Sequence, residues 1–220
     1  MGIPVWTAHR TIDGQKQVST DEPGKITELV PQSLDAQWQL LHEEVAACLG
    51  CDLHRTRKNV VFGSGNKHAD LMIIGEAPGL EEELKAEPFV GSAGQLLNQM
   101  LFSLGFSRDD VFITNILKCT SPDNRKPSPA EIKACSDFLI RQINLLKPKV
   151  ILCLGAVSAK ALLGSGDTIS HLRGQVKTHH QTSTPVVATF HPAYLLRKPT
   201  EKRVVWADLL LTKKVMLEAL

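Results

Sequence analysis

The sequence predicts an α/β domain in three layers, with a four-stranded parallel sheet between helices. Two observations carry that reading. Four short apolar runs recur along the chain: Asp70–Gly75 (DLMIIG), Val111–Asn115 (VFITN), Lys149–Leu154 (KVILCL) and Pro185–Phe190 (PVVATF). Stretches of helical period separate them, and strands alternating with helices build a parallel sheet covered on both faces. The length of 220 residues suits one domain, or one and a half at most. A chain of that size hides roughly 70% of its unfolded surface, so it needs neither a disulfide nor a metal merely to fold.

Each element has its own local signal. Residues 1–32 mix Gly, Pro, Thr, Asp and Lys without a sustained period, and read as a flexible N-terminal extension to a domain over 33–220. Ser33 caps a helix whose stripe is Leu34, Trp38, Leu41, Val45 and Cys48, ending at Gly50. Asn59–Phe62 reads as an edge strand. The strand at 70–75 follows, then a helix over Ser92–Leu104 closed by Gly105. After the strand at 111–115, Ser128, Pro129 and Glu131 spell a capping box with proline at the first helical position. That helix runs to about Leu146 and stops before Pro148. The strand at 149–154 leads into a short helix, Gly155–Leu163, stopped by Gly164. The strand at 185–190 comes next, and Thr200–Ala219 closes the chain as a helix.

Composition narrows the function classes. Apolar residues are 43% and charged residues 22%, which excludes a disordered chain, a coiled coil and a collagen. The longest apolar run, Val150 to Val157, falls far short of the ~20 residues that cross a bilayer, and no secretory signal is visible. The formal charge is only +2, so nucleic-acid binding requires a local basic face. Five cysteines are an odd number, which argues against a disulfide framework and for a reducing cytoplasm.

In open parallel sheets, ligands bind beyond the carboxyl ends of the strands. The residues there are Gly75-Glu76-Ala77-Pro78-Gly79, Asn115, Gly155-Ala156 and His191-Pro192. Glycines, a carboxylate, an amide and an imidazole therefore meet at one rim. Cys48 and Cys51 lie three apart, Cys119 follows a strand and Cys135 sits in the capped helix. Two loose pairs suit a zinc ion or an iron–sulfur cluster, although zinc sites usually show a second tight pair. Cys153, in mid-strand, reads as a small buried apolar residue.

Five ordered motifs then resemble one family. They are GEAPG at 75–79 with Glu81, Glu82 and Glu83 behind it, PFVGSAGQLLNQML from Pro88, TNILKC from Thr114, NRKPSPAEIKAC ending at Cys135, and FHPAYLLR from Phe190. Over residues 34–219 or so the chain resembles the iron–sulfur uracil-DNA glycosylases of family 4. The resemblance implies a four-stranded parallel sheet between helices, and a [4Fe–4S] cluster on Cys48, Cys51, Cys119 and Cys135. It implies a uracil pocket formed in part by Gly75, Glu76 and Ala77. Phe89 would stack on the flipped base, Asn115 would read its edge, and His191 would stand beside it. Glu82 would be a second acidic position tied to activity. Many relatives carry Asp where Glu83 stands.

The chemistry fits these residue types. Base release leaves a cationic sugar and an anionic uracil, so a donor at O2 suits His191. A carboxylate that orients water and stabilises the cation suits Glu76 or Glu82. The cluster reads as structural, setting nearby Arg55, Arg57, Lys58, Arg125 and Lys126 against phosphates. The expected partner is uracil-containing DNA, single- or double-stranded, bound by a monomer, with the N-terminal extension free to engage a replication or repair protein. The alternative is an iron–sulfur redox or electron-transfer protein, which leaves Phe89, Asn115 and His191 unexplained. Relatives that become covalently trapped on DNA carry a histidine-containing insertion between the third and fourth cysteines. The short histidine-free segment here (TSPDNRKPSPAEIKA) excludes that branch.

Overall fold

A computed structural model describes residues 33–219. The expected extension over 1–32 lies outside the described residues. Among the described residues six strands form one sheet: β1 (Ser64–Gly65), β2 (Leu71–Gly75), β3 (Phe112–Asn115), β4 (Val150–Leu154), β5 (Val176–Thr178) and β6 (Pro185–Thr189). Their order is β1-β3-β2-β4-β6-β5. The four central strands are parallel, as expected. The sheet is nevertheless mixed and six-stranded, because β1 and β5 add antiparallel edges to β3 and β6.

The helices are α1 (Leu34–Ala47), α2 (Leu80–Lys85), α3 (Ser92–Leu104), α4 (Pro129–Leu146), α5 (Ala156–Leu163), α6 (Ile169–Leu172), α7 (Pro192–Arg197) and α8 (Lys202–Glu218). The capping signals act as read: Ser33 accepts from the Ala36 N–H, and Ser128 and Glu131 bond each other's backbone N–H groups. Helix α1 stops at Ala47, three residues before Gly50, with Cys48 as its extended C-cap. Asn59–Phe62 is not a strand. Val61 makes one ladder-like bond to the Lys118 carbonyl, and Gly63 at φ +140° turns the chain before β1.

Period-two alternation splits the sheet's side chains between two cores. Met72, Ile74, Ile151, Cys153, Val186 and Ala188 face α1, α4, α5 and α6. Leu71, Ile73, Val150, Leu152, Leu154 and Val187 face α3, α7 and α8. Both faces are covered, so these strands read as continuous apolar runs. Truncating a side chain such as Ile73, fully buried, costs about 2–5 kcal/mol. Among the described residues no helix is long and apolar enough to cross a membrane.

Register places the site. Gly75 pairs with Asn115, and Leu154 pairs with Thr189 two residues before His191. Thr189 donates to Asp208 of α8 at 2.7 Å, and Arg173 grips the same carboxylate at 2.9 and 3.0 Å. This buried network holds the end of β6 where His191 emerges.

Candidate active site

The carboxyl ends of β2, β3 and β6 open onto one cleft of about 1160 Å³. Glu76, Ala77, Glu82, Phe89, Asn115 and His191, all expected site residues, line it. Gly75 acts through what it lacks: a Cβ there would overlap Asn115 Oδ1 and stand 2.6 Å from Phe89 Cζ. Only glycine lets amide and ring come together.

Phe89 sits at φ +55°, in the left-handed region that costs a non-glycine residue about 1–2 kcal/mol. Two side chains hold it there. Glu82 accepts three backbone N–H groups, from Gly79 (3.1 Å), Val90 (3.0 Å) and Gly91 (3.0 Å). Arg108 donates to the carbonyls of Pro88 (2.7 Å) and Phe89 (3.1 Å) and to Glu87 (3.0 Å). Glu82 thus clasps the loop that presents the aromatic ring. Glu83 is buried and clasps a second loop, accepting from the Lys58 N–H at 3.2 Å, while its carbonyl accepts from Asn59 at 3.0 Å. A run of acidic residues reads alike in sequence; the turn of α2 sorts it into separate tasks.

The electrostatics differ at each polar group. The His191 ring stacks beside Phe89, centroids 5.5 Å apart at 29°. Its Nδ1 accepts from the Ala193 N–H at 3.2 Å, so the proton of the neutral ring resides on Nε2. Burial first, and Arg197 second, pull His191 down to about 4, against the pull of Glu82. The imidazole is therefore a neutral donor at neutral pH. Burial pushes the Glu76 carboxyl up, opposed by Lys126. Asn115 is buried, and its Oδ1 has no protein hydrogen-bond partner among the described residues.

Cys48, Cys51, Cys119 and Cys135 ring a separate cavity of about 300 Å³, with Val45, His54, Arg57, Lys118 and Phe138. All four are free thiols. No group of three or more His, Cys, Asp or Glu side chains among the described residues closes to single-ion spacing. The cavity supplies donors to sulfur: the Gly50 N–H to Cys48 at 3.4 Å and Arg57 to Cys119 at 3.3 Å. Four thiols around one pocket, two of them with N–H donors at sulfur, fit a polynuclear iron–sulfur group. Cys153 is buried in β4, away from this ring, and burial pushes its thiol up.

Two of the arginines expected at phosphates have partners within the protein, Arg57 half-buried and Arg125 exposed at the cleft. Arg57 also donates to the carbonyls of Ala46 (2.9 Å) and Cys48 (2.8 Å), so it anchors the cysteine loop. Arg125 forms a two-point pair with Glu131 at 2.6 and 2.9 Å. Arg55 pairs with Asp52 on the surface. Sequence reasoning missed Lys118. Its side chain is fully enclosed between the two sites and donates to Thr114 (2.6 Å), the Asn115 carbonyl (2.8 Å) and Gln142 (2.7 Å). Burial pulls its ammonium down to about 7, against the pull of Cys135 and Cys119. It was also silent on Tyr194, Arg197, Asn124 and Ser121, which line the cleft. Nothing local distinguishes such residues from surface or turn positions.

Residues 62–210 match the model of the uracil DNA glycosylase superfamily. A type-4 uracil-DNA glycosylase of Archaeoglobus fulgidus is 46% identical over 162 residues, 71% of this chain and 81% of its own. One from Pyrobaculum aerophilum is 45% identical over 177 residues, 78% of this chain and 90% of its own. A third, from Thermotoga maritima, is 40% identical over 174 residues, with the same coverage of 78% and 90%.

Proposed function

Because this chain belongs to the uracil DNA glycosylase superfamily, we infer that it is a uracil-DNA glycosylase, which hydrolyses the bond between uracil and its sugar and leaves an abasic site. The observation that carries the reading at the level of residues is the orphaned Asn115 Oδ1 in the cleft. A buried acceptor without a partner costs about 1–3 kcal/mol. Uracil offers N3–H to that oxygen and O4 to the amide's N–H. Cytosine opposes both. Gly75 and Phe89 crowd the amide, and Lys118 pins the Asn115 backbone from the other side, which supports one fixed orientation.

The reaction then follows from the remaining groups. The base leaves the stack, at a cost of a few kcal/mol, and stacking on Phe89 returns about 1–3 kcal/mol. As the glycosidic bond stretches, negative charge gathers on O2, where the Nε2–H of neutral His191 donates. A neutral donor suits this step because it needs no buried cation before the charge develops. Positive charge gathers on the sugar, and the Glu76 carboxylate stabilises it and orients the attacking water. Glu82 acts through the loop it clasps, keeping Phe89 in place. Cys48, Cys51, Cys119 and Cys135 would hold the [4Fe–4S] cluster, which would supply a structural cross-link between the end of α1, the segment after β3 and α4. The partner is uracil-containing DNA, single- or double-stranded, met by a monomer; the five free thiols suit a reducing cytoplasm. Any replication or repair partner would engage residues 1–32.

The test is direct. Purified protein, incubated with a uracil-containing oligonucleotide in the presence of chelator, releases free uracil. Intact oligonucleotide after prolonged incubation refutes the assignment and favours a redox role for the cysteine site.

A further inference from the structure

We propose that Ser121 is a further substrate-contacting residue, whose hydroxyl donates a hydrogen bond to an acceptor oxygen of the flipped nucleotide. The proposal rests on the glycosylase reading and adds a contact to it. Ser121 precedes the turn Pro122–Asn124, whose Asp123 and Asn124 stand at φ +52° and +50°. Its hydroxyl makes no bond to the N–H groups of that turn. The turn is closed instead by the Ser121 carbonyl, which accepts from the Asn124 N–H at 3.0 Å.

The hydroxyl is left buried. Ser121 is 3% exposed, and its Oγ has no partner among the described residues. The hydroxyls of two threonines earlier in the same segment are engaged: Thr120 donates to the Gly79 carbonyl at 3.4 Å, and Thr114 donates to the Phe62 carbonyl at 2.9 Å. Buried polar groups are nearly always bonded, so the exceptions are informative. Among the described residues three buried side-chain atoms lack a partner, and two of them, Asn115 Oδ1 and Ser121 Oγ, belong to residues lining the same cleft. The third, Trp38 Nε1, lies in the core on one face of the sheet.

The pair is complementary in kind. Asn115 presents an acceptor and Ser121 a donor. A ligand that satisfies both carries a donor and an acceptor on one compact frame. The flipped deoxyuridine nucleotide does so, through N3–H and either a carbonyl oxygen of the base or an oxygen of its flanking phosphate. The shared chemistry is an oxygen acceptor, and the two sources can be separated by experiment.

The measurement uses the full chain with Ser121→Ala. We expect kcat/KM on uracil-containing DNA to fall about tenfold, the value of one neutral hydrogen bond. The melting temperature should hold or rise, since the change removes an unsatisfied hydroxyl. A tenfold weaker inhibition by free uracil assigns the contact to the base. A matching loss of affinity for DNA carrying a tetrahydrofuran abasic analogue assigns it to the phosphate. Unchanged kcat/KM, uracil inhibition and abasic affinity overturn the proposal. So does a melting temperature several degrees lower, which would mean that the hydroxyl serves the fold. Failure of the unaltered protein to release uracil would instead overturn the glycosylase reading itself.

Discussion

Glu82→Ala separates a residue that shapes the pocket from one that acts on the reaction. The carboxylate accepts three backbone N–H groups, all at 3.0–3.1 Å. Hydrogen bonds to a charged group contribute about 1.5–3 kcal/mol each. The site is half-buried, so water recovers part of that when the side chain is cut. A net loss of about 2–4 kcal/mol follows, which for a chain of this size lowers the melting temperature by about 5–15 °C. Activity falls as well, because the left-handed Phe89 loses the bonds at Val90 and Gly91 that fix its loop. Losing the stacking platform costs about 1–3 kcal/mol, or roughly 5–150-fold in uracil release. Glu82→Gln keeps one acceptor oxygen and should fall between the two. Glu76→Ala is the control: burial already disfavours its charge, so the variant should melt near the wild-type temperature while losing ~10²–10⁴ in rate. Calorimetry and single-turnover uracil release on the same preparations decide the matter. A Glu82→Ala protein that melts like wild type yet has lost a hundredfold or more in rate would refute the clasp and return Glu82 to the chemistry.

Three other outcomes are expected. Asn115→Asp replaces the donor facing O4 with a second acceptor, so uracil release should collapse and slow cytosine release appear; near-normal uracil release would reduce Asn115 to a turn residue. The kcat/KM profile should decline on the acid side with an inflection above the ordinary carboxylate range, because Glu76, raised by burial, must be ionised. It should show no inflection near 6.5, because His191 stays neutral down to about 4; an inflection there that His191→Gln abolishes would mean the imidazolium is the active form. Anaerobically purified protein should carry about four irons and four sulfides per chain, lost in Cys119→Ser and kept in Cys153→Ser. Stoichiometric zinc in an active, colourless protein would count against the cluster.

The sequence by itself determined the four parallel strands, the long helices and the cysteine quartet, because each rests on a strong local signal. A strand buried on both faces must be apolar throughout, so Leu71–Gly75 and Val150–Leu154 announce themselves, and a Ser-Pro-x-Glu start declares α4. The motifs at the strand ends likewise point to Glu76, Asn115 and His191. Edge strands carry no such mark: Val176–Thr178 is exposed along its length and is a strand only because β6 is beside it. The sites depend still more on distant parts of the chain. Whether a carboxylate faces substrate or a loop is set by which N–H groups the fold brings to it, and Glu82 meets Val90 and Gly91 only after α2 has turned. Arg125 is a free cation on paper and Glu131's partner in space. Lys118 looks like one more surface charge in TNILKC, yet the packing of α4 against β3 encloses it and supplies Gln142 as its acceptor. Burial and hydrogen-bond partnership are properties of pairs brought together from far along the chain, which composition and periodicity do not encode; only the closed tertiary structure decided them.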